Sequence, residues 1–494
     1  NMATTTIEQK PLFNRLAVGQ DIIFVVSNNT VVANQTKVKF CAEVWISDEN
    51  NQGLPPLAVA SNMGHKIGTF KVSPNGAGVG IFDFRNILEN YVKADHLAFE
   101  GSAYKLITTT EETSHPIHLI DKFSGNNNSY EHVAFKFFVE YLDNNQYLPD
   151  GATANPSYNL VITGTGTEQI SEGYQIFNGY IKYSDILKQT GKDFGYDTSA
   201  FEMNTVTTGK FLSNAPTTQY ANLEDYGTFA VMIDSQALTL AIDNVYIEYF
   251  NSSGVSLGTD EIERTDANGA YTSTFSVFTI LAQRNILFCG LFPGNLRNWS
   301  TTFRDLITAG TIQGGYYTIK TRNSSNVATS DTYTINLNCP SQKQFESIRL
   351  CWLNQWGAWD YYTFVQKSIT SITSSGSTYN QLEGTWNEST YRPYGYKGGK
   401  KAFRVNANEK ITMNTDFVSE NDNVMFEELI NSPEVYMLKG YNGDVTESGY
   451  ALNQYVTPVR LMTSTFTKKT IANDKLIQYT FEVEKSKTLR TQAI

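Results

Sequence analysis

The sequence of residues 341–368 is SQKQFESIRLCWLNQWGAWDYYTFVQKS, and it contains three of the chain's six tryptophans. The apolar run 347–353 and the aromatic, β-branched run 359–365 each predict a strand. Residues 354–358 would turn the chain between them, because Gly357 supplies the permissive backbone of a tight turn. The stretch therefore predicts a β-hairpin.

A helix is the alternative structure for these residues. Trp352, Trp356 and Trp359 are spaced at i, i+4 and i+7, and in a helix they would line one face. Gly357 and the aromatic, β-branched run 361–365 argue against it, since such residues favour turns and strands.

The hairpin has two candidate roles. The main interpretation is that its rings form the core of a domain. The sharper hypothesis is an aromatic interaction platform that contacts a sugar or a partner protein. The platform would consist of Trp352, Trp356, Trp359, Tyr361 and Tyr362.

The composition predicts a mainly β, multi-domain chain built of β-sandwich or Ig-like modules with a few short helices. The 494 residues suffice for about three domains. Aromatic residues reach 13% and charged residues only 18%, which favours strands joined by polar turns. The predicted domains are an N-terminal β-rich domain at 1–205, a β-sandwich (Ig-like) domain at 206–340 and a β-rich (α+β) domain at 341–494 that carries the hairpin.

The net charge of −11 is unevenly distributed. Residues 341–494 contain 17 Lys and Arg against 16 Asp and Glu, a net charge of +1. The preceding residues hold 21 basic and 33 acidic side chains, a net charge of −12. An acidic body argues against non-specific nucleic-acid binding, which needs a basic surface. The two charge regimes would suit docking onto different neighbours.

No stretch is long and apolar enough to cross a membrane. The start of the chain lacks the charged and apolar regions of a signal peptide, so we expect a protein made in a host cytoplasm and not exported by the general route. The four cysteines form no Cys-x-x-Cys motif and are predicted to be buried free thiols, with a Cys339–Cys351 disulfide left open.

The sequence offers no set of catalytic, cofactor-binding or metal-binding residues, and we predict that the chain is not an enzyme. His115 and His118 are the only close histidine pair, and they lack the Glu of a zinc protease motif. The Gly-x-Ser-x-Gly motif is absent. Glu111–Glu112 and Glu427–Glu428 are adjacent in sequence, and adjacent residues do not face a common substrate.

Two other local patterns are informative. SEND at 419–422 resembles a helix start with a capping side chain, and the helix would bury Met425, Phe426, Leu429 and Ile430. The Gly/Lys loop GYKGGKK at 395–401 lacks Walker spacing and predicts a solvated turn. Residues 206–340 show almost no helical periodicity.

Three segments resemble one protein family. The first, at 70–92, has the pattern Pro-Asn…Gly-x-Phe-Asp…Ile-Leu-x-x-Tyr-Val, and the second is Leu-Asn-x-x-Gly-x-Trp-Asp-Tyr-x-Thr-Phe at 353–364. The third comprises NTD at 414–416, EELI at 427–430, SPEVY at 432–436, PV at 458–459 and ANDKL at 472–476. They are similar to segments in structural proteins of the tail, neck or baseplate of tailed phages that infect Bacteroidetes, the crAss-like phages among them.

The resemblance implies a non-enzymatic building block of the virion that forms a ring or an adaptor. It implies a homo-oligomer in contact with other virion proteins. From the acidic charge, the lack of a membrane-spanning stretch and the missing motifs, we expect no nucleic acid, no membrane and no cofactor as partner. A second hypothesis is a glycan-binding module of a phage fibre or a gut-bacterial surface, with Trp299, Trp352, Trp356, Trp359 and Trp386 as stacking rings. A third, a depolymerase, would require two carboxylates that face each other in a pocket.

Overall fold

The structure is a computed structural model in which part of the chain is described. The described residues are 4–46, 65–93, 117–120, 123–124, 129–142, 160–162, 169–171, 173–187, 189–190, 193–194, 196–203, 208–233, 242–263, 286–337, 345–439, 455–469 and 477–493.

The chain is mainly β, as the composition predicts. Its strands are β1 (Thr6–Gln9), β2 (Arg15–Ala17), β3 (Ile23–Ser27), β4 (Thr36–Ile46), β5 (His65–Val72), β6 (Val79–Asp83), β7 (Phe123–Ser124), β8 (Tyr130–Leu142), β9 (Leu160–Ile162), β10 (Gln169–Ile170), β11 (Tyr174–Phe177), β12 (Gln189–Thr190), β13 (Asp193–Phe194), β14 (Glu202–Met203), β15 (Thr218–Ala221), β16 (Thr228–Ile233), β17 (Asn244–Phe250), β18 (Ser256–Glu263), β19 (Ile286–Gly290), β20 (Tyr316–Arg322), β21 (Tyr333–Leu337), β22 (Ile348–Leu353), β23 (Trp359–Phe364), β24 (Ile369–Gln381), β25 (Gly399–Asn414), β26 (Val435–Leu438), β27 (Val456–Leu461), β28 (Thr480–Lys485) and β29 (Arg490–Ala493).

The helices are few and short. They are α1 (Asn29–Asn34), α2 (Arg85–Leu88), α3 (Tyr183–Ile186), α4 (Pro293–Trp299), α5 (Thr301–Thr308) and α6 (Asn423–Asn431), with 3-10 turns at Ile117–Leu119, Ser199–Phe201 and Glu420–Asp422. The predicted fold class, several β-sandwich-like modules with short helices, is confirmed.

The chain divides into two compact units. Unit 1 comprises Asn1–Ser213, Tyr226–Thr334 and Asn354–Trp359, and unit 2 comprises Asn214–Asp225, Ile335–Leu353 and Asp360–Ile494. The domain limits at 205 and 340 stay a prediction.

The first module of unit 1 packs two sheets around a core of aromatic rings. One sheet has the order β1-β3-β6, and the other has the order β2-β11-β8-β4-β5. Phe24 of β3 contacts Phe135 and Phe137 of β8, with ring centroids 4.6 and 5.3 Å apart. Such close aromatic pairs add to the free energy gained by burying the rings themselves.

The register of β4 and β8 explains why this core is continuous. Ala42 lies opposite Phe137, and Val44 lies opposite Phe135. Because side chains alternate across a strand, these pairs share the inner face of the sheet. All four side chains are buried.

The second module of unit 1 contains the antiparallel pair β16–β19 and the order β20-β17-β18. It also contains α4 and α5, so the expectation of almost no helical structure at 206–340 is wrong there. Pro293 begins α4, and the Ser300 hydroxyl caps α5 by accepting a hydrogen bond from the Phe303 amide at 2.7 Å.

The side chain of Asn295 in α4 organises the backbone around it. Its amide nitrogen donates to the carbonyls of His118 and Ile120 at 2.8 and 2.7 Å, and its oxygen accepts from the Gly227 amide at 2.9 Å. Asn295 is fully buried. It therefore satisfies three buried backbone groups that would otherwise be costly to remove from water.

Unit 2 is built on an eight-stranded sheet with the order β23-β22-β26-β27-β28-β25-β24, in which β29 also pairs with β25. Helix α6 packs on it through Met425, Phe426 and Leu429, which are buried. The predicted helix is confirmed, and its start carries the expected capping box between Ser419 and Asp422.

Three of the four cysteines lie within the described residues, and all three are buried free thiols, as predicted. Burial raises the pKa of Cys41 and of Cys289 to about 12, and raises that of Cys351 as well. These thiols stay protonated and weakly nucleophilic near neutral pH. Cys339 lies outside the described residues. No helix within the described ranges is long and apolar enough to span a membrane.

Candidate functional site

The Trp-rich stretch forms the predicted hairpin, with strands β22 and β23 joined by the turn 354–358. The Asn354 amide donates to the Ala358 carbonyl at 2.8 Å. The Asn354 side-chain oxygen accepts from the amides of Trp356 and Ala358 at 3.1 Å each. Gly357 adopts φ +72°, the left-handed conformation that favours glycine. The side chain of Asn354 thus takes the place of a backbone acceptor inside the turn.

The rings of the hairpin are buried. Trp352, Trp356 and Trp359 expose 0, 1 and 3% of their surface, Tyr361 exposes 5%, and Tyr362 is partly buried. The Trp356 indole donates to the Tyr196 hydroxyl at 2.7 Å. Rings without an exposed face cannot stack on a sugar, so the three tryptophans and Tyr361 are not available to a sugar in this structure. Their burial fits the core interpretation.

A buried polar cluster lies at the base of the hairpin in unit 2. The Arg349 guanidinium is 3.5 Å from the Asp225 carboxylate and donates to the Thr363 hydroxyl at 2.8 Å. The Thr363 hydroxyl donates to Asp225 at 2.7 Å. Arg349 also lies over the Tyr361 ring, 4.9 Å from its centroid. Arg349 and Asp225 are both more than nine-tenths buried, so breaking the pair would leave an uncompensated buried charge.

A second buried cluster in unit 2 pairs two carboxyl groups, Asp360 and Glu428. Burial, and then the charge of Asp360, raise the pKa of Glu428 well above its ordinary value. Asn214 donates to Glu428 at 2.5 Å. Two carboxyl groups this close are most stable when they share one proton. Asp360 is 2% exposed and Glu428 is partly buried.

Of the two histidines at 115 and 118, only His118 lies within the described residues. His118 is buried in unit 1, edge-on to Trp359 with centroids 5.3 Å apart. Among the described residues, no group of three or more His, Cys, Asp or Glu is arranged to hold a metal ion.

A pocket of about 330 Å³ lies in unit 1. Its lining includes Leu12, Tyr183 and Tyr196, with the ion pair of Arg85 and Asp21 at 3.5 Å. The volume is at the lower end for small-molecule sites, which run from about 300 to 1,000 Å³. The lining brings together no set of catalytic side chains.

The most exposed feature is a long β-hairpin in unit 2, here called the arm, formed by β24, the loop 382–398 and β25. Strand β24 has 13 residues and β25 has 16. Residues 369–378 are exposed without interruption, so both faces of this strand meet solvent. Only the base of the arm enters the core, where Ile411 and Met413 of β25 are buried.

The end of the arm, residues 382–404 and here called the tip, combines exposed rings with basic side chains. Trp386 is 80% exposed and Tyr396 is 73% exposed. The Lys397 ammonium lies 5.3 Å from the Tyr394 ring centroid and 5.8 Å from that of Tyr396. The tip includes the Gly/Lys loop, whose solvated character was predicted. The long polar strand β24 before it was not.

The loop at the tip is ordered by hydrogen bonds between its own residues. The Thr385 hydroxyl accepts from the Arg392 amide and donates to the Thr390 carbonyl, both at 3.1 Å. The Thr385 amide donates to the Arg392 carbonyl at 3.1 Å. Gly384, Gly398 and Gly399 have positive φ and allow the reversals. The exposed rings are therefore presented on an organised turn.

Comparisons with known proteins identify no family. No protein-family model matches the chain, and no curated protein matches it. One solved structure, the native conformation of alpha-2-macroglobulin from E. coli, aligns at 8% identity over 84% of this chain and 22% of its own length, with a TM-score of 0.18. The chain thus spans less than a quarter of that protein. A likeness at this score carries no argument about fold or function.

Substitution of the turn glycine tests the hairpin. A Cβ on Gly357 would lie 2.3 Å from the Asn178 carbonyl oxygen, and its φ is +72°. Gly357→Ala should therefore destabilise unit 1 by at least about 2 kcal/mol. The matched control is Gly76→Ala, because Gly76 has no atom within 4 Å of the added Cβ. Thermal unfolding followed by tryptophan fluorescence measures both, and equal shifts would contradict the strained turn.

The carboxyl pair predicts a pH dependence of stability. The folded chain keeps a proton on Glu428 that the unfolded chain releases above its ordinary pKa of 4.5. The contribution of this group to stability therefore falls as pH rises from about 4.5 toward the folded pKa, by up to about 1.4 kcal/mol per pH unit. Glu428→Gln should flatten this fall, as seen in urea unfolding at pH 5.5 and pH 8. Glu427→Gln is the control, and equal slopes in all three proteins would refute the shared proton.

Proposed function

We propose that this chain is a non-enzymatic structural protein of a virion, a building block of the tail, neck or baseplate that forms a ring or an adaptor through protein–protein contacts. The observation that carries the proposal is the arm, which leaves the core of unit 2 with both faces exposed.

Beyond Arg404–Ala407, where β29 also pairs with β25, the arm has two strands, and a two-stranded ribbon without a core is marginally stable in water. The outer part of the arm buries little apolar surface against its own chain, since residues 369–378 are all exposed. A contact with another protein would supply the missing burial. An isolated monomer thus gains little free energy by ordering an arm of this length. An assembly would gain more, because the arm would be buried against another protein.

The composition of the tip also suits a protein contact. Leu382, Trp386, Tyr391, Tyr396 and Phe403 are more than half exposed. Aromatic residues and Arg are enriched at the centres of protein interfaces, and grouped exposed rings on a monomer are uncommon. The three segments that resemble segments of phage tail, neck and baseplate proteins support a virion as the place of that assembly.

The mass of the protein in solution tests this function. Light scattering and negative-stain images of the full chain should show a defined homo-oligomer. In a shortened variant, residues 374–407 are replaced by Asn-Gly, because Thr373 and Asn408 are directly paired and a two-residue turn can join them. The deletion removes the residues of β25 that pair with the exposed strand β29, but Ile411 and Met413 remain in the core, so unit 2 should fold and the variant should be a monomer.

Two results would count against the proposal. One is a full chain that stays monomeric at all concentrations and is also recovered from particles without bound neighbours. The other is a shortened variant that keeps the mass of the full chain. Because the variant also lacks Trp386, its fold is verified against Trp386→Ala in the full chain: both proteins should show the same tryptophan fluorescence from the buried rings of the hairpin.

A glycan-binding function is the second candidate, and the exposure of Trp386 favours it. Of the five tryptophans considered as stacking rings, Trp386 is 80% exposed, whereas those of the hairpin are buried. Exposed indole and phenol faces on an organised turn can stack on sugar rings. The arm would then carry a receptor-binding tip.

A glycan array distinguishes this candidate. Binding that is lost in Trp386→Ala and kept in Phe417→Ala would support it, because Phe417 is another exposed ring, outside the tip. Absence of binding by the full chain across the array would remove the candidate.

A further inference from the structure

Strand β24 is a long, unprotected sheet edge. Within the described residues the sheet of unit 2 ends at β24, which pairs with β25 on one side. Its sequence, ITSITSSGSTYNQ, contains no charged residue and no proline. Natural proteins usually guard such edges with charges, prolines or short strands. The one irregularity in the pairing of β24 with β25 lies between Ser377 and Thr378, where the extra residue, Phe403, is on β25. The edge is therefore open to another strand.

The neutral, Ser- and Thr-rich sequence of β24 favours pairing with β24 of a second copy of the chain. Two neutral strands meet without like-charge repulsion, and Ser and Thr side chains opposite one another form favourable cross-strand pairs. Ile369 and Ile372 are 56 and 64% exposed, and they would gain burial beside a second strand.

Charges near the two ends of the arm determine whether two paired β24 strands run parallel or antiparallel. The tip, residues 382–404, holds five Lys and Arg against two Glu. Residues 411–438 at the base hold six Asp and Glu and no Lys or Arg. The Gln366 amide donates to Asp416 at 3.0 Å, which places this acidic segment beside the start of β24. The arm is thus basic at its tip, and exposed carboxylates of the segment that follows β25 lie beside its base, where Lys367 and Lys410 also lie.

We infer that β24 of one copy pairs antiparallel with β24 of a second copy, so that the basic tip of each arm lies against the acidic base of the other. The inference rests on the proposed homo-oligomer and specifies its contact. Full-length pairing places Ser375 opposite its own copy. Thirteen residues extend over roughly 43 Å and supply about a dozen backbone hydrogen bonds. A typical protein interface has about ten.

A parallel arrangement is disfavoured by the same charges. It would set the two basic tips side by side, within the screening length of about 8 Å at physiological salt. The antiparallel arrangement separates the tips by roughly 40 Å, the length of the strand, and brings each within reach of carboxylates. Asp416 and Glu420 are both exposed at that end.

Complementary charges on β24 test the contact. Thr373, Ser375 and Ser377 are exposed and alternate along one face. The triple variant Thr373→Lys/Ser375→Lys/Ser377→Lys should weaken self-association about tenfold or more, because three like-charged pairs then face each other. The triple Glu variant should weaken it similarly. An equimolar mixture of the two should recover the affinity of the unchanged protein, measured by analytical ultracentrifugation.

The outcomes separate the contact from the wider proposal. If both triple variants keep the original affinity, or if the mixture fails to recover it, the β24 pairing is wrong while the homo-oligomer stands. If the unchanged chain is monomeric throughout, the β24 pairing fails, and the virion proposal fails with it when the chain is also recovered from particles without bound neighbours. The matched control is Ser252→Lys/Ser324→Lys/Thr332→Lys, which adds the same charge at exposed positions of unit 1 and should leave the affinity unaltered.

A second pair of variants tests the direction. Lys400→Glu/Lys401→Glu reverses charge at the tip, and Asp416→Lys/Glu420→Lys reverses it at the base. Each alone should weaken the pair, and their mixture should restore it, because both tip–base contacts regain opposite charges. A mixture of the unchanged protein with the tip variant that binds more tightly than the unchanged protein alone would indicate parallel arms and overturn the antiparallel assignment.

Discussion

Strand β25 connects the core of unit 2 to the exposed arm. At its C-terminal end, Ile411 and Met413 lie among the buried side chains, and the strand pairs with β28. Farther from the core it pairs with β24 and β29, and its side chains become exposed. The ladder of backbone hydrogen bonds therefore continues after the hydrophobic core has ended. The arm holds its shape through this continuity, because register set at the base is propagated outward residue by residue.

Unit 2 combines this exposed ribbon with polar groups sealed in its interior. Arg349, Asp225 and Thr363 satisfy one another, and Glu428 retains a proton beside Asp360. Buried charges and carboxyl groups add little net stability compared with apolar packing, but a lost partner is costly. These clusters are therefore sensitive points of the fold.

The elements predicted correctly are those in which turn and capping residues favour the same structure as the hydrophobic pattern around them. The hairpin followed from an Asn-x-x-Gly turn between apolar strands, and α6 followed from the Ser419 capping box and the spacing of Met425, Phe426 and Leu429. The sequence alone could not decide whether the tryptophans are buried, because the same rings occur both in cores and on surface platforms. Helices α4 and α5 were missed because both are short, although Phe303, Leu306 and Ile307 of α5 have helical spacing.

The arm was missed for a different reason. Strand prediction depends on alternation between apolar and polar residues, and that alternation exists because one face is buried. Strand β24 has no buried face, so Ser, Thr and Gly follow one another without a period. Only the basic loop beyond it gave a signal, and this indicated a solvated turn. A strand that pairs by its backbone alone leaves almost no trace in the hydrophobic pattern.

The open edge of β24 has a consequence for symmetry. Two antiparallel copies of one strand are related by a two-fold axis, so the contact joins two chains and cannot bind a third. The two members of such a pair face in opposite directions. A larger assembly built from them contains an even number of chains and requires a second, different contact, and any polarity along its axis must come from that contact or from the neighbouring proteins.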